Sequence, residues 1–267
     1  MIRTRRALNH LMLAAALTLS APAYAQDAPD TPAAPDAPTQ PMVAKNIQPE
    51  ADAVLKRMGE LLSQTQSFRF DSHVAHDVTL SAGLKVKLHQ ERTLTVTRPG
   101  KIHAVGDGDL DQSEVWFNEG ALSAFDPTRN AYAQIEGPQD IDGILDHLAL
   151  ERGWVLPMAD LVVSDPYTSA TANVQLGIYL DQRNLRGTVC DHLAFRQEGI
   201  DWQIWIEAGD TPVPRKLLIT FTGLAGHPQW AVELDNWDLA PQIEDGQFDF
   251  VVPEGATPVD FDEFRRN

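Results

Sequence analysis

Cysteine is nearly missing from this chain: Cys190 stands alone among 267 residues. A single thiol excludes an intrachain disulfide and a Cys-x-x-Cys metal site. It also excludes the cysteine that lipid attachment needs at a leader's cleavage point. Cations are scarce as well, 21 Lys and Arg against 38 Asp and Glu, for a net charge of −17. Such a chain repels phosphate backbones and anionic membrane surfaces, so no nucleic-acid partner is expected. Long apolar runs are missing too. No stretch approaches the roughly 20 residues that span a bilayer, so no transmembrane segment is expected. Gly-x-Ser-x-Gly, His-Glu-x-x-His and glycine-rich phosphate loops do not occur. Nothing in the motifs points to an enzyme, and no cofactor is implied.

What the sequence does contain begins with an export signal. Arg3, Arg5 and Arg6 precede an apolar run from Leu11 to Leu19 and then Ala23-Tyr24-Ala25, the three-part layout of a secretory leader cut after Ala25. The expected domains are therefore a signal peptide over 1–25, a disordered linker over 26–48 and one folded domain over 49–267, working in the periplasm. Cleavage leaves 18 basic residues against 38 acidic ones, a net charge of −20. In the linker Pro29, Pro32, Pro35, Pro38 and Pro41 recur at the three-residue period of an extended polyproline chain, which buries no core.

Periodicity then sets the fold. Val54, Leu55, Met58, Leu61 and Leu62 make a helical stripe behind Pro49, predicting a helix over Pro49–Gln64. From Phe68 the period becomes two, and Ser81-Ala82-Gly83 turns the first hairpin. Six strands are expected up to Ile135, then helices over Gln139–Arg152 and Pro157–Val163, then five strands from Val174 to Asp238. With no strand–helix alternation, the pattern excludes a doubly wound parallel sheet. It predicts an α+β fold: a single curved antiparallel sheet, an incomplete β-barrel of about eleven strands, with helices covering the concave face.

Two clusters resemble chemistry. Asp107-Gly108-Asp109-Leu110-Asp111 opens like a calcium loop, but Gln112 and Asn118 stand where the loop needs glycine and a bidentate acid. An exposed acidic turn explains these residues, and no metal is expected. In Cys190-Asp191-His192 the cysteine and histidine share a strand face, but parallel side chains about 7 Å apart are poorly placed for proton transfer. A buried thiol and a hydrogen-bonded histidine are the plainer expectation. What remains is apolar surface. Trp202, Ile204 and Ile206, then Leu217, Ile219 and Phe221, then Trp230 and Val232 form three same-face rows, each expected as core or as the wall of an apolar cavity.

The stretch Cys190–Phe195, Asp201-Trp202-Gln203-Ile204-Trp205-Ile206, and Pro214-Arg215-Lys216-Leu217 with Ile219-Thr220 resembles a bacterial predicted periplasmic protein family of unknown function. Phe125-Asp126-Pro127, Leu156-Pro157 and Ser164-Asp165-Pro166 agree with it, so the likeness covers about residues 49–262. That family is grouped with the lipoprotein-carrier superfamily of LolA/LolB-like fold. The resemblance implies a lid-covered half-barrel holding a lipid or lipoprotein acyl chain without catalysis. The ligand-binding wall would be Trp202, Ile204, Ile206, Leu217, Ile219, Phe221, Trp230 and Val232, with Gln139–Arg152 and Pro157–Val163 as lid helices. The alternative is an envelope protein-interaction or sensor module of the same fold, whose partners are other envelope proteins. The long proline-rich tether departs from what the soluble carrier is known for.

Overall fold

The structure, a computed structural model, describes residues 45–265 apart from 111, 155 and 157. The expected leader over 1–25 and nearly all of the expected linker over 26–48 lie outside the described residues.

In chain order the elements are β1 (Asn46–Ile47), α1 (Pro49–Gln64), β2 (Ser67–Thr79), β3 (Lys85–Thr97), β4 (Lys101–Gly108), β5 (Gln112–Asn118), β6 (Ala121–Asp126) and β7 (Ala131–Glu136). There follow α2 (Ile141–Arg152), α3 (Ala159–Val162), α4 (Pro166–Thr171), β8 (Leu176–Leu185), β9 (Thr188–Gln197), β10 (Ile200–Glu207), β11 (Pro214–Thr220), β12 (Gln229–Asp238) and β13 (Thr257–Pro258). A 3-10 turn over Phe261–Arg265 ends the series. All the strands form one sheet, ordered β1-β8-β9-β10-β11-β12-β2-β3-β4-β5-β6-β7-β13. It is unclosed, as expected, since its two ends do not pair with each other. Two meanders, β2–β7 and β8–β12, meet where β12 pairs antiparallel with β2.

The sheet has thirteen strands rather than about eleven. The eleven long strands are the expected ones, and each outer end gains a two-residue parallel strand, β1 on β8 and β13 on β7. Two residues are too few to show a period, so the alternation pattern could not register them. The region between the meanders also differs. The second helix shrinks to the four residues of α3, and a further short helix, α4, which was not expected, opens at Asp165-Pro166. Asp165 accepts a hydrogen bond from Thr168 N at 3.0 Å and Pro166 takes the first helical turn.

Local chemistry explains the joints. Glu119 and Gly120, both at positive φ, make the tight loop between β5 and β6, with Gly120 at φ 108° where a side chain would be strained. Asp140 caps α2 by accepting from Gly143 N at 2.7 Å. One face of the sheet is covered: alternate residues of β2 (Phe68, Phe70, Val74), β10 (Ile200, Trp202, Ile204, Ile206) and β12 (Trp230, Val232, Leu234) join α1, α2 and α3 in a single core. Each such large side chain contributes roughly 1.5–3 kcal/mol on burial.

Candidate apolar site beneath the helical cover

The eight expected wall residues all point to the covered face and are buried in the common core. Their rows are in register: Trp202 opposite Ile219, Ile204 opposite Leu217, Leu217 opposite Val232 and Ile219 opposite Trp230. Three of them, Trp202, Ile204 and Leu217, border a small cavity of about 20 Å³. The remaining five fill the core away from it. Closing the cavity are Leu55 and Met58 of α1, the α3–α4 segment through Met158, Asp160, Leu161 and Ala170, and Pro214 of β11. The stripe of α1 signalled Leu55 and Met58 in the sequence. Met158 and Leu161 fall within the expected lid helix Pro157–Val163, whereas Ala170 carried no signal, because nothing local marks which side of so short a helix meets a distant strand.

The α3–α4 segment is held by polar anchors at its edges. Arg98, from the β3–β4 turn, donates to Thr65 O at 2.9 Å and to Val163 O at 2.7 Å, joining the end of α1 to the end of α3. Its guanidinium lies 5.0 Å from the Phe68 ring centroid. Burial lowers its pKa, and Asp142 nearby opposes that. Asp142 accepts from Ser164 N at 2.8 Å and from the Ser164 hydroxyl. Tyr167 Oη donates to Asp52 Oδ1 at 2.6 Å, a bond that, with burial, pushes the phenol up to about 12. The α1–α4 contact is close enough to require glycine: a Cβ on Gly59 would stand 2.6 Å from Tyr167 Cβ. Within the segment, the Ser169 hydroxyl donates to Asp160, which is 5% exposed.

The Cys190-Asp191-His192 cluster divides three ways. Burial pushes the Cys190 thiol up to about 11, with Glu207 adding to the rise, the reverse of what a nucleophile needs. His192 stacks on Trp205 at 4.0 Å, and its Nε2 lies 3.0 Å from Gln203 Oε1. Asp191 faces the other side and accepts from Tyr179 Oη at 2.8 Å and Gln182 Nε2 at 3.1 Å, with Arg57 at 3.6 Å. In the calcium-like string, Asp109 turns back onto its neighbour strand, accepting from His89 N at 2.8 Å. Asp111 lies outside the described residues. Among the described residues no group of three metal-ligating side chains converges.

A larger groove, about 480 Å³, is lined by Asp71, His73, Glu91, Thr93 and Glu114, which alternate with the core-facing residues of their strands. Burial would raise the Asp71 carboxyl, but hydrogen bonds from Thr93 and Asn236 outweigh it and hold the group below its usual range. These charged side chains set the groove apart from the apolar cavity beneath α3 and α4.

A family model described as "predicted periplasmic protein (DUF2092)" matches residues 51–262. No curated protein matches the chain. Among solved structures, an uncharacterized conserved protein from Thermus thermophilus is 10% identical with a TM-score of 0.46, covering 79% of this chain and 99% of that one. LprF from Mycobacterium bovis is 13% identical with a TM-score of 0.44, with coverages of 79% and 99%. A LolA superfamily protein from Nitrosomonas europaea is 8% identical with a TM-score of 0.35, with coverages of 75% and 97%. At these scores the likenesses carry no argument about a ligand. No helix among the described residues is long and apolar enough to cross a membrane.

Proposed function

We propose that this chain, which belongs to the DUF2092 family of predicted periplasmic proteins, is a non-catalytic binding protein or carrier for an apolar ligand, a lipid or lipoprotein acyl chain. The observation that supports this reading is the cavity bordered by Trp202, Ile204 and Leu217. It is small, the surface turned into it is wholly apolar, and the short, polar-anchored α3–α4 segment closes it beside α1. An acyl chain would enter by lifting α3 and α4, whose anchors are few: Arg98, Asp142 and Asp52. Met58 and Met158 at the cavity are unbranched and re-pack readily around a chain. Each methylene transferred from water to this wall would contribute about 0.8 kcal/mol.

Native mass spectrometry of the mature protein isolated from periplasm, with organic extraction of what it carries, tests the reading. A stoichiometric lipid adduct is the expected result. A clean apo mass, together with no uptake of added acyl probes, would overturn it.

One observation favours a second reading, an envelope protein-interaction module. The cavity has room for about one water molecule, and the rest of the covered face is filled. The apo mass without uptake is the result this alternative expects.

A further inference from the structure

We propose that the tip of the β2–β3 hairpin, with the β11–β12 loop beside it, docks the protein on an anionic phospholipid surface. Leu80, Leu84 and Leu224 enter the interface, and Lys85 and Lys87 meet the lipid phosphates. This contact goes beyond the carrier reading and does not depend on it.

The hairpin overhangs both of its neighbours. Pairing with β12 stops at Trp230 opposite His76, and pairing with β4 stops at Gly108 opposite Gln90. Beyond His89, where Asp109 ends the contact with the β4–β5 turn, about 13 Å of two-stranded ribbon projects at the usual strand rise. Its turn is closed: Leu80 N donates to Leu84 O at 2.9 Å and Gly83 N to Leu80 O at 2.8 Å. A fixed turn thus holds out two leucines, 46% and 60% exposed. Lys85 Nζ donates to Gly226 O at 3.0 Å and ties the β11–β12 loop to the same end, with Leu224 46% exposed. A lone exposed leucine is ordinary, but leucines gathered at one projecting apex mark a contact surface. Behind them the core-facing side of the ribbon stays apolar, with Val78 opposite Val86 and then Leu88, down to Val74 and Trp230 in the core.

Charge selects the partner. Residues 78–88 and 221–228 hold no Asp or Glu in a chain that has 38 of them, yet they hold Lys85 and Lys87. Both lysines lie near Asp77, at 3.7 and 3.7 to 3.0 Å respectively along the ribbon's wet face, and one carboxylate between two cations leaves the tip net positive. Leucines at the apex with lysines just behind them put apolar side chains below the phosphates and ammonium groups level with them. The net charge of −17 on the whole chain does not forbid this, because at physiological salt charges more than about 8 Å away are largely screened. A protein partner would need an acidic recess shaped to this convex apex, whereas a fluid anionic surface needs no matching shape.

The test is flotation of the full mature chain with vesicles of phosphatidylcholine, alone or mixed equally with phosphatidylglycerol, at physiological salt. Wild type should float with the mixed vesicles and bind them about fivefold more tightly than the neutral ones, as one net cation near a charged surface implies. The double variant Leu80→Gln, Leu84→Gln should bind about tenfold more weakly. The double variant Lys85→Gln, Lys87→Gln should lose the preference for the anionic lipid. All four side chains are exposed, so both variants should keep the circular dichroism of wild type. Leu150→Gln, the same change at an exposed leucine of α2, should leave binding unchanged. Binding that survives the loss of both tip leucines, or that Leu150→Gln weakens as much, would overturn the assignment. So would a failure to float with either vesicle; a mass that then grows with concentration in wild type, and not in the leucine variant, would give the tip to a second copy of the chain. Vesicle binding without uptake of acyl probes would support the membrane contact while the carrier reading fell.

Discussion

Gly59→Ala is the sharpest probe of how α4 sits on α1. In an exposed helix this change would stabilise the protein by about 1 kcal/mol through helix propensity alone. Here the added methyl would stand 2.6 Å from Tyr167 Cβ and 2.9 Å from its backbone nitrogen, where about 3.5–4.0 Å is comfortable contact. The obstacle includes backbone, so α4 must retreat by about 1 Å, and overpacking of that kind costs about 1–3 kcal/mol. The retreat also stretches the Tyr167–Asp52 bond, now 2.6 Å, and bonds to charged acceptors contribute about 1.5–3 kcal/mol. Set against the propensity gain, the balance is a loss of about 1.5–5 kcal/mol, the larger figure if the bond is lost outright, or a fall of about 2–4 °C in Tm for each of them. Urea unfolding followed by tryptophan fluorescence measures it, with an unchanged m-value showing that only stability moved. Because α4 carries Ala170 over the cavity, uptake of a fluorescent acyl probe should accelerate in the same variant. A Gly59→Ala protein more stable than wild type by the propensity value would refute the close α1–α4 approach.

Other perturbations separate core from cover. Arg98→Met removes the donors to Thr65 O and Val163 O; it should cost about 1–3 kcal/mol and speed probe uptake, and slower uptake would argue that the arginine is no latch. Ile219→Asp places a carboxylate in the core away from the cavity, so no folded protein is expected by circular dichroism, and a folded, binding-competent product would mean that β11 shows its other face inward. Cys190, buried and with its thiol pushed up to about 11, should react with a disulfide reagent at pH 8 far more slowly in the native chain than in urea; equal rates would contradict its burial. Burial pushes His76 and His192 below their ordinary value. The unfolded histidines take up protons near pH 6.5 before the folded ones do, so their contribution is complete above that pH and is lost as the pH falls below it. Comparing urea melts at pH 7.5 and 5.5, the double variant His76→Gln, His192→Gln should show a shallower decline than wild type, and an identical decline would remove the histidines from the account.

Strand alternation made most of this architecture legible, because a sheet buried on one face writes its register into every second residue. Phe68, Phe70 and Val74, or Ile200 to Ile206, have no other consistent reading. The limits are physical too. β1 and β13 owe their pairing to a neighbouring strand and not to their own two residues. α4 depends on the Asp165 cap and the glycine at position 59, 106 residues earlier, features whose meaning is tertiary. For the cavity, sequence supplied the sheet side, Trp202, Ile204 and Leu217, among eight equivalent apolar positions. It could not say which three would be left incompletely covered, since that depends on where four residues of α3 come to rest.

The pairing of β12 with β2 has a consequence for how the chain is made. Gln229 N bonds to Asp77 across 152 residues, so the first meander is synthesised, and emerges, with one flank of β2 unmatched. Until the second meander arrives, every second residue along β2 offers a free amide and carbonyl to any extended segment nearby. Asp71 and Asp77 on that flank, and Lys85 and Lys87 just across the hairpin, put charge where a stray strand would have to dock. The seam between the two halves is thus a joint that can close only late in synthesis, and a place where the nascent chain needs guarding.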